Sequence, residues 1–136
     1  VLRSYLHQIG YGNESLQGDL SSYWMESSLK ISPVEQVQLL VSFYYNDWNF
    51  DPSHIETVKD AICLSSSSGT ALYGKTGTGQ INGQNINGWF VGFVESSGHP
   101  VFFALNLRGK DAAGSAAASI TLSILSDLGI YSDESL

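Results

Sequence analysis

The sequence has 136 residues, with 6 lysines and arginines against 13 aspartates and glutamates and a formal net charge of −7. This length suits one domain or part of one, and the hydrophobic share of 43% is ordinary for a globular protein. An acidic balance with scattered charges argues against nucleic acid or an anionic membrane surface as a partner. The histidines, His7, His54 and His99, match no metal-ligand spacing, so we expect no metal and no other cofactor.

The start of the chain predicts one helix and a long loop. Residues 2–9, LRSYLHQI, place apolar side chains at helical spacing, and Gly10 is suited to end that helix. Residues 10–22 are rich in Gly, Asn and Ser and indicate a loop. Residues 23–31 are ambiguous and read as a short helix followed by an extended turn.

Two helices with clear start signals come next. Ser32-Pro33-Val34-Glu35 combines a serine N-cap, a first-turn proline and a glutamate in the pattern of a capping box, which predicts a helix over residues 33–46. Asp51-Pro52-Ser53 opens a second helix through about residue 63. Cys63 at its end is the only cysteine, which excludes an internal disulfide, and we expect a buried structural thiol rather than a nucleophile.

The spacing of apolar residues then changes. The serine run at 65–69 indicates a surface turn. Three short segments, ALYGKTG, NGWFVGFVES and PVFFALNLR, are separated by Asn-Gly and Gly-His-Pro, which predicts three consecutive antiparallel strands joined by hairpins. The stretch GSAAASITLSILSDLGI predicts a C-terminal helix with Ile120, Ile124 and Leu128 on one face and Gly129 just past its end.

A cluster of Lys75, Thr76 and Gly77 stands at the end of the first predicted strand. The lysine supplies positive potential, the threonine hydroxyl can donate to a carboxylate, and the glycine leaves the strand edge open to a ligand. Together they suit an acyl substrate that carries an anionic group. Taken alone, the triplet is equally consistent with a solvated strand end followed by a glycine-rich turn.

Three blocks in a fixed order resemble one protein family. YGKTGTG…NGWFVGFVE followed by PVFFALNL resembles the third active-site motif of the penicillin-recognising serine acyl-transfer proteins. Tyr11-Gly12-Asn13 resembles the YGN element of class D serine β-lactamases and of the related β-lactam sensor domains of bacterial antirepressor receptors. The block from Tyr23 to Val37 resembles the segment after YGN in that family. The resemblance implies a β-lactamase/transpeptidase-like α+β fold, with a five-stranded antiparallel sheet flanked by helices.

The resemblance also implies roles for the KTG strand. Lys75 would help to hold the substrate carboxylate, and Thr76 would bind it through its hydroxyl beside Gly77. Thr78 would pair its backbone with the substrate and offer its N–H as a second oxyanion donor. The alternative for Thr78 is an ordinary β-branched strand residue.

The other implied residues lie around the cleft. Tyr11 and Asn13 would border it with Gly12 in support, although a tight turn would also explain these residue types. Trp24 resembles the tryptophan that donates to a carbamylated lysine in class D enzymes, and a buried core tryptophan is the alternative. We assign Trp89 to the core, together with Phe90.

The residues that would attack the substrate are not in their family position. The family places its nucleophile in an S-x-x-K element N-terminal to YGN. Ser27 and Lys30 have the S-x-x-K spacing, but they come after YGN, where the family has no nucleophile. We therefore expect residues 1–136 to be the C-terminal portion of a single domain that is inactive alone, with serine and base lysine upstream. Arg108 and Lys110 are both candidates for the family's carboxylate-binding arginine.

The implied parent is a class D-like β-lactamase that hydrolyses penicillins. The alternatives are a sensor domain of a membrane antirepressor receptor, acylated without turnover, and a binding module without the serine. The expected partners are a β-lactam and the missing N-terminal half, and unpaired sheet edges would favour a homodimer or strand exchange. Either the enzyme or the sensor would lie on the extracellular or cell-envelope side of a bacterial membrane.

Overall fold

The computed structural model describes residues 1–133. In chain order its elements are helices α1 (Leu2–Ile9), α2 (Pro33–Tyr45) and α3 (Pro52–Ala61), strands β1 (Cys63–Ser67), β2 (Thr70–Ile81), β3 (Gln84–Ser96) and β4 (His99–Arg108), and helix α4 (Gly114–Asp127). The strands form one antiparallel sheet in the order β1-β2-β3-β4. The predicted α+β arrangement of helices, antiparallel strands and a final helix is confirmed. Among these helices, none is long and apolar enough to cross a lipid bilayer.

The helices begin where the sequence places their caps. The Ser32 hydroxyl accepts from the backbone N–H of Glu35 at 3.2 Å, and the Glu35 carboxylate accepts from the Ser32 N–H at 2.8 Å, so the capping box is formed. Asp51 accepts from the backbone N–H of Ser53 at 2.9 Å at the start of α3. α1 ends at Ile9, and its C-cap Gly10 has a left-handed φ of 65°.

The serine run is the main difference from the predicted elements. Residues 63–67 form β1 and pair with residues 70–73 of β2, so only Ser68 and Gly69 make the turn. The sheet therefore has four strands where the sequence predicted three. α3 ends at Ala61, and Cys63 is exposed on the edge strand, so the expectation of a buried thiol is wrong. Residues 23–28 form turns and bends, without the short helix.

The core lies on both faces of the sheet. On one face Leu72, Val94 and Leu125 form a buried cluster that joins β2 and β3 to α4. On the other face Phe93 is fully buried. Its ring stacks on Tyr73 at a centroid distance of 4.7 Å and lies edge-on to the ring of a tyrosine in α2 at 5.3 Å.

Helix α4 leaves exposed the face on which the sequence places Ile120, Ile124 and Leu128. Its buried residues are Gly114, Ala117, Thr121 and Leu125. The aliphatic side chains predicted to share a face are exposed at 42%, 46% and 66%, in the order Ile120, Ile124 and Leu128. The small residues on the buried face explain why this face packs on the sheet. A Cβ on Gly114 would lie 2.8 Å from a β2 backbone oxygen, so only a face with small side chains can approach the sheet this closely.

A polar cluster joins α2 and α3 to the sheet. The Tyr44 hydroxyl donates a short hydrogen bond to Glu95, and Lys59 Nζ lies 3.4 Å from the same carboxylate oxygen. Lys59 also lies over the rings of Tyr44 and Tyr73, 5.3 and 5.2 Å from their centroids. The hydrogen bond from Tyr44 is the main cause that holds the pKa of Glu95 below its usual value. The same bond, with burial as the second cause, raises the pKa of Tyr44 to about 12.

Candidate functional site

The YGN turn is fixed to the segment that ends at Ile31. Asn13 donates from its backbone N–H to Lys30 O, and its side-chain oxygen accepts from Lys30 N, both at 2.9 Å. Its side-chain NH₂ donates to Ser28 O, also at 2.9 Å. Gly12 has a φ of 50°, and a Cβ there would lie 1.9 Å from Lys30 O. Only glycine permits this approach, so the turn and the segment form one unit.

Strand β2 offers a free edge where the KTG residues lie. β1 pairs only with residues 70–73 of β2, and the N–H of Gly74 donates to Ile62 O at 2.8 Å. The backbone groups of alternate strand residues point the same way, so the N–H groups of Thr76 and Thr78 face this outer edge as well. Beyond Gly74, no strand of residues 1–133 pairs with that edge. A ligand can therefore reach these N–H groups.

A groove of about 430 Å³ lies between this strand and the loop segment after YGN. Its lining comes from the loop, α2 and strands β2 to β4: Tyr11, Trp24, Glu26, Leu29, Lys30, Ile31, Gln36, Lys75, Thr76, Gly77, Asn87, Trp89, Val91 and Arg108. Three of these side chains are cationic, half of the 6 lysines and arginines in the chain, and only Glu26 is acidic. The groove is thus a concentration of positive charge in an acidic protein, which favours an anionic ligand.

Several predicted site residues line this groove. Lys75, Thr76 and Gly77 form its β2 wall, and Tyr11 and Trp24 face them from the loop. Lys75 Nζ donates to Thr76 O at 2.5 Å, which keeps the ammonium beside the strand edge. Trp24 is 56% exposed, so the alternative of a buried core tryptophan is wrong. These five residues are separated by up to 66 positions in sequence and meet through the fold.

Three predicted residues are close to the groove without lining it. Asn13 uses its side chain on backbone groups of the loop, and Gly12 permits that contact. The Thr78 hydroxyl accepts from the backbone N–H of Gly114 at 3.0 Å, so it faces α4. Asn13 and Gly12 therefore act on the shape of the loop, while any role of Thr78 toward a ligand lies in its backbone.

Tyr11 reaches the groove from a partly buried position. Burial is the main cause that raises the pKa of its hydroxyl, while the contact with Gln36 opposes the rise. Gln36 Nε2 donates to the hydroxyl at 3.4 Å. The phenol is therefore neutral at pH 7 and presents a hydroxyl group to the groove.

Sequence reasoning missed part of the lining. Glu26, Asn87 and Trp89 line the groove, although the sequence placed Trp89 in the core. The assignment of Phe90 to the core is confirmed, since it is 1% exposed. Strand alternation carried a usable signal, because Trp89 pairs with Gly77 and must therefore share the face opposite to that of Phe90.

The remaining candidates separate clearly. Arg108 lines the groove and Lys110 does not. Lys30 lines the groove and Ser27 does not. The segment 23–29 is not helical, so it does not place Ser27 and Lys30 on one helix face as an S-x-x-K element requires. Within residues 1–133 no group of three or more His, Cys, Asp or Glu side chains is arranged to hold a metal ion.

Comparison with known proteins extends these observations. The regulatory protein BlaR1 of Bacillus licheniformis is 53% identical over 131 residues, which cover 96% of this chain and 22% of that protein. The solved C-terminal domain of the Bacillus licheniformis BlaR penicillin-receptor matches with a TM-score of 0.89 and 52% identity, over 96% of this chain and 53% of that one. A class D β-lactamase from Bacillus subtilis matches with a TM-score of 0.87 and 33% identity, over 97% of this chain and 54% of that one.

The likeness thus spans nearly all of this chain and about half the length of the solved relatives. The family model of the penicillin-binding protein transpeptidase domain matches residues 1–126. The match includes the YGN turn, the KTG strand and the start of α4 in one alignment. The chain therefore belongs to the penicillin-binding protein transpeptidase domain family.

Proposed function

We propose that this chain supplies the substrate-binding wall of a domain that recognises β-lactams by serine acyl transfer. The observation that carries the proposal is the cationic groove beside the free edge of β2. An anionic acyl substrate needs positive charge for its carboxylate and backbone donors for the oxygen of its reacting carbonyl, and the groove offers both. Family membership supports the same chemistry.

The proposed roles follow from the positions of the groups. Lys75 and the Thr76 hydroxyl hold the substrate carboxylate beside Gly77, whose missing side chain lets the ligand approach. The N–H of Thr78 is a second oxyanion donor at the free edge. Trp24 donates its indole N–H to a carbamylated lysine. Tyr11 borders the groove.

The attacking serine is proposed to come from a segment N-terminal to YGN, so that residues 1–136 are the C-terminal portion of one domain. In the acylation step the serine oxygen bonds to the β-lactam carbonyl carbon and the ring C–N bond breaks. The serine proton ends on the ring nitrogen through the base lysine. Residues 1–136 alone would bind the substrate weakly and would not react.

Within this function we place a receptor that stays acylated ahead of a hydrolase. The sequence alone favoured the hydrolase, but the receptor domain is 52% identical to this chain and the Bacillus subtilis class D β-lactamase only 33%. A receptor for an extracellular antibiotic would expose this domain on the outer or cell-envelope side of the membrane. A class D-like hydrolase is the second candidate, because the same motifs support it.

Intact-mass spectrometry after mixing with benzylpenicillin tests the proposal. We expect no adduct on residues 1–136 alone and one adduct on a longer protein that includes the serine-bearing segment. An adduct that persists for hours supports the receptor, and one lost within seconds supports the hydrolase. An adduct on residues 1–136 alone would mean that this chain carries its own nucleophile and would point to Ser27. No labelling of the longer protein would overturn the function.

A pair of variants tests the groove itself. Lys75→Ala in the longer protein should slow labelling by about tenfold or more, since it removes one charge-assisted contact to the carboxylate. Lys110→Ala is the matched control, because Lys110 carries the same charge outside the groove. Equal effects of the two variants would mean that only overall charge matters.

We also propose self-association of the isolated chain. Within residues 1–133 no strand pairs with the outer edge of β4, so the outward-facing backbone groups of alternate residues in this ten-residue strand are open to another chain. Light scattering at increasing concentration tests this. We expect a rise in mass toward the dimer, and a sharp monomer peak at high concentration would refute it.

A further inference from the structure

Among residues 1–133, Glu26 is the one acidic side chain in the lining of the groove. Its side chain is only 11% exposed, although carboxylates usually lie in water. Its φ of 51° is left-handed, a conformation that a glutamate adopts less readily than asparagine or glycine. A largely buried carboxylate in a groove that favours anions needs a structural explanation, and the contacts of Glu26 provide it.

The Glu26 carboxylate joins the loop to two strands. One oxygen accepts from Asn87 Nδ2 of β3 at 2.5 Å. Asn87 is itself 6% exposed, and its amide oxygen accepts from Asn106 Nδ2 of β4 at 2.6 Å. The other Glu26 oxygen lies 3.7 Å from Arg108 Nη2 at the end of β4. One oxygen is thus anchored in a nearly buried network, and the other faces an exposed cation of the groove wall.

Gly79, the first glycine after KTG, makes this position possible. A Cβ on Gly79 would lie 2.2 Å from the Glu26 carboxylate and 2.7 Å from its Cγ and Cδ atoms. The glutamate therefore lies flat on bare β2 backbone, two residues past Gly77. This contact fixes the direction of the carboxylate independently of Arg108.

We propose that Glu26 is a positioning residue, which holds the guanidinium of Arg108 at the end of the groove so that Arg108 takes the carboxylate of the β-lactam. Arg108 is 63% exposed, and within residues 1–133 Glu26 is its only ion-pair partner, so no other carboxylate keeps its long side chain there. The ion pair between Glu26 and Arg108 is long, at 3.7 Å, so the guanidinium can donate to a second carboxylate while it stays beside Glu26. This inference rests on the proposed function and adds Arg108, positioned by Glu26, to the groups that hold the carboxylate.

The test uses the longer protein and separates binding from acylation. Rates of labelling by benzylpenicillin over a range of concentrations give the apparent dissociation constant and the acylation rate constant. Glu26→Gln keeps an acceptor for Asn87 and removes the charge that attracts Arg108. We expect the apparent dissociation constant to rise about fivefold, in line with a partly exposed ion pair, while the acylation rate constant changes little.

Two comparisons distinguish positioning from a general structural effect. Arg108→Ala should raise the dissociation constant at least as much, and the double variant should be no worse than Arg108→Ala, because Glu26 acts through Arg108. The methyl ester of benzylpenicillin lacks the carboxylate and should react equally with all these proteins. Lys110→Ala is the control for loss of a nearby cation.

Each other outcome overturns the inference. Tighter binding by Glu26→Gln would mean that the glutamate competes with the substrate for Arg108, and additive effects in the double variant would mean independent action. Should Glu26→Gln fail to fold, Arg108→Ala with unchanged binding of benzylpenicillin still refutes the proposal. Absence of any labelling of the unmodified protein would refute the proposed function instead, so the two failures differ.

Discussion

Replacing Tyr44 by phenylalanine removes a single oxygen from the polar cluster of Tyr44, Glu95 and Lys59. The ring stays and keeps its edge contacts with Phe93 and Phe102 at 5.3 and 5.7 Å. The hydrogen bond from the hydroxyl to the Glu95 carboxylate is lost. Tyr44→Phe therefore reports on that bond and not on packing.

The expected loss depends on the type of bond and its exposure. A hydrogen bond to a charged group stabilises a protein by about 1.5–3 kcal/mol. The Glu95 side chain is 25% exposed and keeps Lys59 at 3.4 Å, so the lower end applies. We expect Tyr44→Phe to lower the free energy of unfolding by about 1.5 kcal/mol in urea at pH 7. A double-mutant cycle with Glu95→Gln should give a coupling of about 1 kcal/mol.

The dependence on pH gives a second signature. Glu95 has a lowered pKa in the folded protein, so its contribution is complete above the usual value of 4.5 and is lost as the pH falls through the folded value. Tyr44 has a raised pKa, so its contribution is complete below 10.0 and is lost as the pH rises through about 12. The difference in free energy of unfolding between the unmodified protein and Tyr44→Phe should thus be constant from about pH 5 to 10 and shrink outside that range.

Tyr45→Phe is the control, because Tyr45 is 60% exposed and its hydroxyl has no hydrogen bond to residues 1–133. We expect that variant to change stability by less than about 0.5 kcal/mol. Equal losses of stability in the two variants, or a loss from Tyr44→Phe that is unchanged between pH 3 and pH 7, would refute the contribution assigned to the hydrogen bond between Tyr44 and Glu95.

Three further changes test the fold around the site. Phe93→Ala should cost about 3–5 kcal/mol in urea unfolding, because a fully buried ring leaves a cavity. Ser32→Ala should cost about 1 kcal/mol in the same assay, since it removes the N-cap of α2. Gly12→Ala should speed amide exchange of Asn13, because its Cβ would displace Lys30 O and break the hydrogen bonds between the YGN turn and residues 28–30.

Different results would contradict each of these three. A loss under about 1.5 kcal/mol for Phe93→Ala, the size seen for volume-conserving changes, would mean that the ring is not packed as described. Unchanged stability of Ser32→Ala would mean that solvent replaces the cap. Unchanged exchange of the Asn13 amide in Gly12→Ala would show that the turn has room for a side chain.

Local signals explain which elements the sequence predicted well. The starts of α2 and α3 depend on side chains within three residues of the helix, such as Ser32 with Glu35, so the sequence contains the whole interaction. β1 was missed because its five residues, CLSSS, have no apolar alternation and form a strand only by pairing with β2. Strand pairing of this kind depends on the partner more than on intrinsic preference.

The site divides in the same way. Lys75, Thr76 and Tyr11 could be found because they lie in short, recognisable stretches. Arg108 was one of two basic candidates, and the sequence could not choose between it and Lys110. Glu26 and Asn87 could not be found, because they meet Arg108 only through the register of β3 with β4, in which Asn87 pairs with Arg108, and through a loop without regular structure. The buried face of α4 was also inaccessible to periodicity, since small residues and close approach outweighed the larger aliphatic side chains.

The exposed aliphatic residues of α4 have a practical consequence. Ile120, Ile124 and Leu128 lie one helical turn apart on the solvent side, where sulfate and other excluded salts strengthen apolar association. The isolated chain should therefore salt out early during purification. Because none of the three side chains is buried, replacing them with glutamate or lysine offers a route to a more soluble protein with the same core.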